Sequence, residues 1–305
     1  MSTCVGCTGW SFADWYKNKF YDRKEEERFK GKGLNYHLWK YSKFFDCTEV
    51  NSFNYTISIV NPQSLTPVHP KALWWYKKQL GQAQNEHGFS MFERIAKMTF
   101  KWDASTPEGF VFSTKVPGMI THAKCLRDCS RETRLFIEGI GHVKKIKFLL
   151  FEFPSYFTKE NSFDAFKDYF SKGSSDYSIV VEFRSKDWYN PQTFDFLKKK
   201  GITLALSQVD DPGVASFKGD DRTTDLTYVR IIGQHGVYES FDRMRESPQV
   251  KQQLQNWAEL VQSSDKSFVF INNNFAGNAP ETANYFKKII GQKPREWASG
   301  LQHFF

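Results

Sequence analysis

Eight short runs with strand character recur along the chain, with helix-like stretches between them: Cys4–Thr8, Thr48–Asn51, Phe110–Lys115, Phe148–Phe153, Ile179–Arg184, Ile202–Ser207, Tyr228–Ile232 and Phe268–Asn273. A βα order repeated in this way implies a parallel sheet with right-handed crossovers. Eight such units are the number that closes a barrel. The stretches between them carry the matching helical signal, with Phe136, Ile140 and Val143 at i, i+4, i+7 and Leu254, Trp257 and Val261 at i, i+3, i+7. Two helix starts are also legible. Asn190-Pro191 offers an N-cap followed by proline at the first helical position, and Asn278-Ala279-Pro280-Glu281 repeats that logic before Thr282–Ile290. The expected fold is α/β, a single (β/α)8 TIM-like barrel with a helical insertion after the second strand.

Several of these runs end in polar groups: Glu49 and Asn51, Glu152, Glu182 and Arg184, Arg230, and Asn272 to Asn274. In a parallel barrel the interior is packed with apolar side chains while the C-terminal strand ends open on a pocket, so ionisable groups placed there usually serve a ligand. Side chains alternate along a strand. Val180, Glu182 and Arg184 therefore share the face expected inside the barrel, and Ile179, Val181 and Phe183 the face expected beneath helices.

The 305 residues fit one barrel, and no Pro/Gly/Ser-rich linker divides them. Thirty phenylalanines within an aromatic content of 17% supply core volume. The stretch of about 55–102 is too long for an ordinary connection. It holds Leu73-Trp74-Trp75-Tyr76 and Phe89–Met98, and is expected to form a helical excursion at the pocket face, as a lid or as a structural cap. A net charge of +8, from 42 basic and 34 acidic residues, favours anionic partners or reflects a solvated basic surface. Five cysteines, an odd count, and a start without a basic-then-apolar leader point to a reduced, cytoplasmic protein. Cys4 and Cys7 have Cys-x-x-Cys spacing but do not open a helix, and Cys125 and Cys129 lack a second pair at zinc-site spacing, so packing roles are expected. No apolar run is long enough to cross a bilayer.

Read in order, Cys7-Thr8-Gly9-Trp10-Ser11-Phe12, Thr48-Glu49-Val50-Asn51-Ser52, Pro107-Glu108-Gly109-Phe110, Lys115-Val116-Pro117, Ile120-Thr121-His122, Phe153-Pro154-Ser155, Glu182-Phe183-Arg184, Tyr228-Val229-Arg230 and Asn272-Asn273 resemble the YecE-like family, a domain of unknown function. The resemblance runs from about residue 4 to 291 and leaves 292–305 as a C-terminal extension expected to pack on the barrel. It implies a TIM-barrel-like fold related in shape to endonuclease IV and xylose isomerase, and no established reaction. This chain departs from the family pattern in having Glu152 where glutamine is usual, Ser185 where histidine follows Glu-Phe-Arg, Phe53-Asn54-Tyr55-Thr56 in place of Thr-Phe-Tyr-Arg, and most of the 55–102 insertion. Its pocket is accordingly more acidic.

The leading functional reading is a phosphate-bearing ligand, most concretely nucleic acid. Arg184, Arg230 and Lys115 would neutralise phosphate oxygens, while Trp10 and Trp188 would stack on bases or sugars. That reading expects Arg230→Ala to abolish binding at little cost in stability. Asn51, His122, Asn272 and Asn273 complete the binding set, and Glu49, Glu152 and Glu182 are candidates for acid, base or metal ligand in phosphodiester hydrolysis. Glu49, Glu152, Glu182 and His122 could hold a divalent metal that activates a water, with His122 and Glu182 the first candidates among them, although these strand ends supply fewer His and Asp than the multi-zinc site of endonuclease IV needs. The alternatives are a carbohydrate or sugar-phosphate hydrolase or isomerase, with Glu152 as acid, and a non-catalytic binding module built on the asparagines.

Overall fold

A computed structural model describes residues 2–55, 91–172, 175–209 and 222–297. Among these residues nine strands form one sheet: β1 Ser2–Thr8, β2 Cys47–Val50, β3 Val111–Lys115, β4 Ile146–Phe153, β5 Ser178–Phe183, β6 Thr203–Leu204, β7 Leu206–Gln208, β8 Leu226–Ile231 and β9 Lys266–Ile271. The pairs are parallel, in the spatial order β6-β5-β4-β3-β2-β1-β9-β8-β7. Helices follow most of the strands, as in a TIM-like barrel, while among the described residues none stands between β6 and β8.

The ninth strand corrects the expected count of eight. The run Ile202–Ser207 is broken at Ala205, so β6 pairs with β5 and β7 with β8, and the ring closes through the chain itself. The break is made by a residue outside the strand. The Thr223 hydroxyl accepts from the Leu204 backbone N–H at 2.8 Å and donates to the Ile202 carbonyl at 2.7 Å, taking backbone groups a continuous ladder would have used.

The alternation read along β5 holds. Val180 packs with Phe148, Leu150, Ala205, Tyr228, Phe268 and Phe270 in the plug of the barrel, while Val181 and Phe183 join the outer core beneath the helices. Each such large apolar side chain contributes about 1.5–3 kcal/mol through burial. Gly6 belongs to the same geometry, because a Cβ there would stand 2.1 Å from the Cys47 carbonyl oxygen. β1 and β2 approach too closely for any side chain at that point.

Helix Ser130–Ile140 buries Phe136 and Ile140 with Val143 just past its end, and helix Pro248–Gln262 buries Leu254, Trp257 and Val261. Asn190 caps helix Pro191–Lys200 by accepting from Thr193 N, and Asn278 caps helix Ala279–Ile289 by accepting from Glu281 N. Both caps carry proline in the first turn, and the second helix starts three residues earlier than its apolar pattern suggests.

Helix Met91–Thr99 falls within the expected insertion and helix Trp102–Ser105 begins where it ends; Leu73–Tyr76 lies outside the described residues. Beyond residue 291, Arg295 pairs with Asp46 at 2.8 Å and Trp297 meets Phe20 edge-on at 4.8 Å. All five cysteines are free, and burial pushes the Cys125 and Cys129 thiols up to about 11, which fits packing over redox chemistry. Among the described residues no helix is long and apolar enough to cross a membrane.

Candidate functional site

Because the strands are parallel, their C-terminal ends gather at one mouth, and the inward positions there are polar. β2 brings Glu49, β3 Ser113 and Lys115, β4 Glu152, β5 Glu182 with Arg184 just beyond it, and β8 Tyr228 and Arg230. Arg230 is the hub. Its Nε and Nη2 grip the two oxygens of Glu49, each at 2.8 Å, while Nη1 reaches Glu152 at 2.9 Å and also Glu182. Glu49 further accepts from the Tyr228 hydroxyl at 2.9 Å, and that hydroxyl meets Ser113 at 2.6 Å. Arg184 Nη2 contacts Glu152 at 2.9 Å and Glu182 at 3.0 Å, and Lys115 lies 3.0 Å from Glu152. Three carboxylates thus face three cations, and the cluster is neutral overall.

Depth separates these residues. Glu49, Glu182 and Arg230 are sealed, at 0%, 0% and 1% exposure. Lys115, Glu152 and Arg184 retain some access at the rim. Burial works against an ionised Glu152, but Lys115, Arg184 and Arg230 outweigh it and hold this carboxyl well below the usual range. His122 joins the rim from a π-helical turn, Met119–Ala123, and its Nδ1 meets the Thr121 hydroxyl at 2.8 Å. Burial pushes the His122 imidazole down to about 4, with Lys115 and Arg184 adding to the effect against the pull of Glu152, so it is neutral near pH 7. The segment that follows is strained: Cys125, Leu126 and Asp128 all have positive φ, at 48°, 66° and 44°. Left-handed backbone at side-chain-bearing residues costs about 1–3 kcal/mol each and concentrates at functional sites.

Beside this cluster, over the ends of β1, β2 and β9, lies a pocket of about 480 Å³ walled by Trp10, Phe12, Trp102 and Phe241 and bearing Asn51 and Asn273. Asn272 and Asn274 also line it. Asn272 caps the short helix Asn273–Ala276, accepting from Asn274 N at 2.9 Å. Gly233 lets the loop after β8 pass against this turn, where a Cβ would stand 2.4 Å from Phe275 Cα. Thr8, on the pocket wall, donates to Glu49 at 3.5 Å and links pocket to cluster.

The structure gathers Glu49, Lys115, His122, Glu152, Glu182, Arg184 and Arg230 in one constellation, and Trp10, Asn51, Asn272 and Asn273 in the adjoining pocket. Trp188 goes elsewhere. It is fully buried in the outer core, stacked on Phe183 at 4.4 Å and Phe157 at 5.3 Å, with its indole N–H donated to the Phe157 carbonyl at 2.6 Å. An aromatic residue following a strand end belongs to pocket or core according to the helix that covers it, which its position in sequence does not reveal. Ser185, at the position of the expected histidine, turns to Asp187 at 2.6 Å instead of joining the cluster.

A metal does not fit this arrangement. The three carboxylates converge on the Arg230 guanidinium, and no group of three or more His, Cys, Asp or Glu side chains among the described residues is set to hold an ion. The sequence reading also missed the strained segment 125–128 and the role of Tyr228. Nothing local marks either, since Tyr228 reads as an ordinary strand aromatic.

A family model described as "Protein of unknown function DUF72" matches residues 93–302, more than half of the chain. The UPF0759 protein YunF of Bacillus subtilis (strain 168) is 26% identical over 231 residues, which cover 66% of this chain and 82% of that protein. The solved structure of a DUF72 family protein from Thermotoga maritima matches with a TM-score of 0.59 at 22% identity, covering 96% of this chain and 100% of that one. Another, from Enterococcus faecalis, gives 0.60 at 18% identity over 95% and 98%. At these identities the structural likeness speaks for the fold alone.

Proposed function

The chain belongs to the DUF72 family, for which YecE-like is another name, and on that premise we propose that it binds a phosphodiester, nucleic acid being the natural source, at the rim formed by Lys115, Arg184 and His122. One observation carries this reading: Arg184 Nη1 is buried and has no hydrogen-bond partner. An unpaired buried guanidinium nitrogen is costly, and an acceptor supplied by a ligand relieves that cost. The charge balance refines the ligand. Three cations against three carboxylates leave room for little added negative charge, so a phosphodiester with a single charge fits better than a monoester carrying about two. Arg230 is sealed beneath the rim and acts as its support.

Glu152, held ionised, and His122, held neutral, are two bases at the mouth. The low pKa that keeps each unprotonated also makes it a weak base, so during phosphodiester hydrolysis they suit accepting a hydrogen bond from, and orienting, an attacking water or hydroxyl. The same shift counts against a glycosidase, whose acid needs a raised pKa; Glu152 moves the other way, and Glu182 is tied to both arginines.

The test is a fluorescence-polarisation titration with labelled single-stranded, duplex and abasic oligonucleotides at two salt concentrations, comparing the native chain with Arg184→Gln. Loss of a charge-assisted hydrogen bond of about 1.5–3 kcal/mol should weaken binding by about tenfold or more. Weak binding that vanishes with salt and ignores the substitution would reduce the reading to a generally basic surface.

A further inference from the structure

The pocket beside the charged rim holds two buried amide atoms without partners. Asn273 is 1% exposed, and its Oδ1 accepts from the Ala279 backbone N–H at 2.8 Å and from the Trp15 indole N–H at 3.2 Å. Two donors on one oxygen fix the orientation of the amide, because the NH₂ group could accept neither. Its Nδ2 is thereby left without a hydrogen-bond partner. Asn51, just past the end of β2, has the complementary lack: its Oδ1 is buried and receives no donor. Each such vacancy costs about 1–3 kcal/mol unless something fills it.

The fold sets these two residues at strand ends on either side of β1, and both line the pocket. β1 lies between β2 and β9 in the sheet, so Asn51 and Asn273 rise from strands separated by two spacings, about 10 Å between backbones. The same pocket has aromatic walls, with Phe12 and Phe241 edge-to-face at 6.3 Å and Trp10 edge-on to Trp102 at 5.2 Å. An occupant matching this lining is flat, stacks on an aromatic face, and carries an acceptor for Asn273 and a donor for Asn51 on its edges. A nucleobase has that chemistry: each base presents donors and acceptors in its plane and a π-face on either side. A pyranose could also lay its C–H faces on these rings, but it carries hydroxyls all around its edge, more than the one donor and one acceptor left unpaired here would satisfy. The volume of about 480 Å³ accommodates a nucleoside.

We propose that the pocket over β1, β2 and β9 receives one unstacked nucleobase, read by the Asn273 amide N–H and the Asn51 amide carbonyl. This deepens the phosphodiester reading by naming what the phosphate is attached to, and it rests on different atoms. Base and phosphate would meet neighbouring parts of one surface, since Thr8 touches both the pocket and Glu49.

The experiment is isothermal titration calorimetry of the full chain with adenosine, guanosine, cytidine and uridine, which carry no phosphate, and with methyl β-glucoside as a ring without a base. Asn273→Asp keeps an oxygen for Ala279 N and Trp15 Nε1 while removing the donor; Asn51→Ala removes the acceptor. At least one nucleoside should bind, and each substitution should weaken it by about tenfold. Absence of nucleoside binding at millimolar concentrations, binding indifferent to Asn51→Ala, or equal affinity for the glucoside would overturn the proposal. The abasic oligonucleotide keeps the two readings apart. Abasic strand bound with nucleosides ignored removes the base pocket alone, and nucleosides bound with the abasic strand ignored removes the phosphodiester rim alone.

Discussion

Replacing Arg230 with alanine should destabilise this protein strongly. The guanidinium contacts Glu49 through two nitrogens at 2.8 Å, Glu152 at 2.9 Å and Glu182, and Glu49 and Glu182 are fully buried. Removing it leaves three carboxylates facing Lys115 and Arg184, with Glu49 deprived of its cation. Breaking a buried ion pair by deleting one partner costs about 3–5 kcal/mol, because the remaining charge stays desolvated. With an unfolding entropy of about 2.1 cal/mol/K per residue, 305 residues give about 0.64 kcal/mol/K, so the melting temperature should fall by about 5–8 °C. Differential scanning calorimetry near neutral pH measures this directly. Two companions sharpen it. Arg230→Ala with Glu49→Gln restores the charge balance and should recover about half of the loss. Arg230→Lys keeps the charge but cannot hold both Glu49 oxygens and Glu182 together, and should fall between the two. If the alanine variant melts within about 1 °C of the native chain, the cluster is not organised around Arg230 and the reasoning fails.

Acid should act through His122. Its pKa is near 4 in the folded chain against about 6.5 unfolded, so the unfolded chain binds more protons between those values and stability falls as pH drops from about 6.5 to 4. The full effect is about 3 kcal/mol, and His122→Asn should flatten that part of a urea-denaturation pH series; an unchanged slope would show that His122 does not titrate in this way. Gly6→Ala should unfold or severely destabilise the barrel, since the added Cβ meets the Cys47 carbonyl oxygen at 2.1 Å. A variant that melts like the native chain would mean that β1 and β2 separate without cost.

The sequence by itself determined what is local. Alternation along β5 placed Val180 and Glu182 inward and Val181 and Phe183 outward, because a pleated strand leaves no other choice. Asn190 and Asn278 announced their helices because an N-cap bonds only three residues ahead. Polar strand ends marked the mouth, because parallel strands must finish together. Tertiary structure decided the partners. Arg230 was expected to meet a ligand, yet four of its five N–H donors go to Glu49, 181 residues away, and to Glu152 and Glu182. Only ring closure brings those groups within 3 Å. Trp10 and Trp188 look alike in sequence, and one lines the pocket while the other is sandwiched between phenylalanines. The split at Ala205 likewise hangs on Thr223, a residue outside the strand it interrupts. Local rules fix which side of the chain a group faces; which groups it meets there depends on contacts made only once the barrel closes.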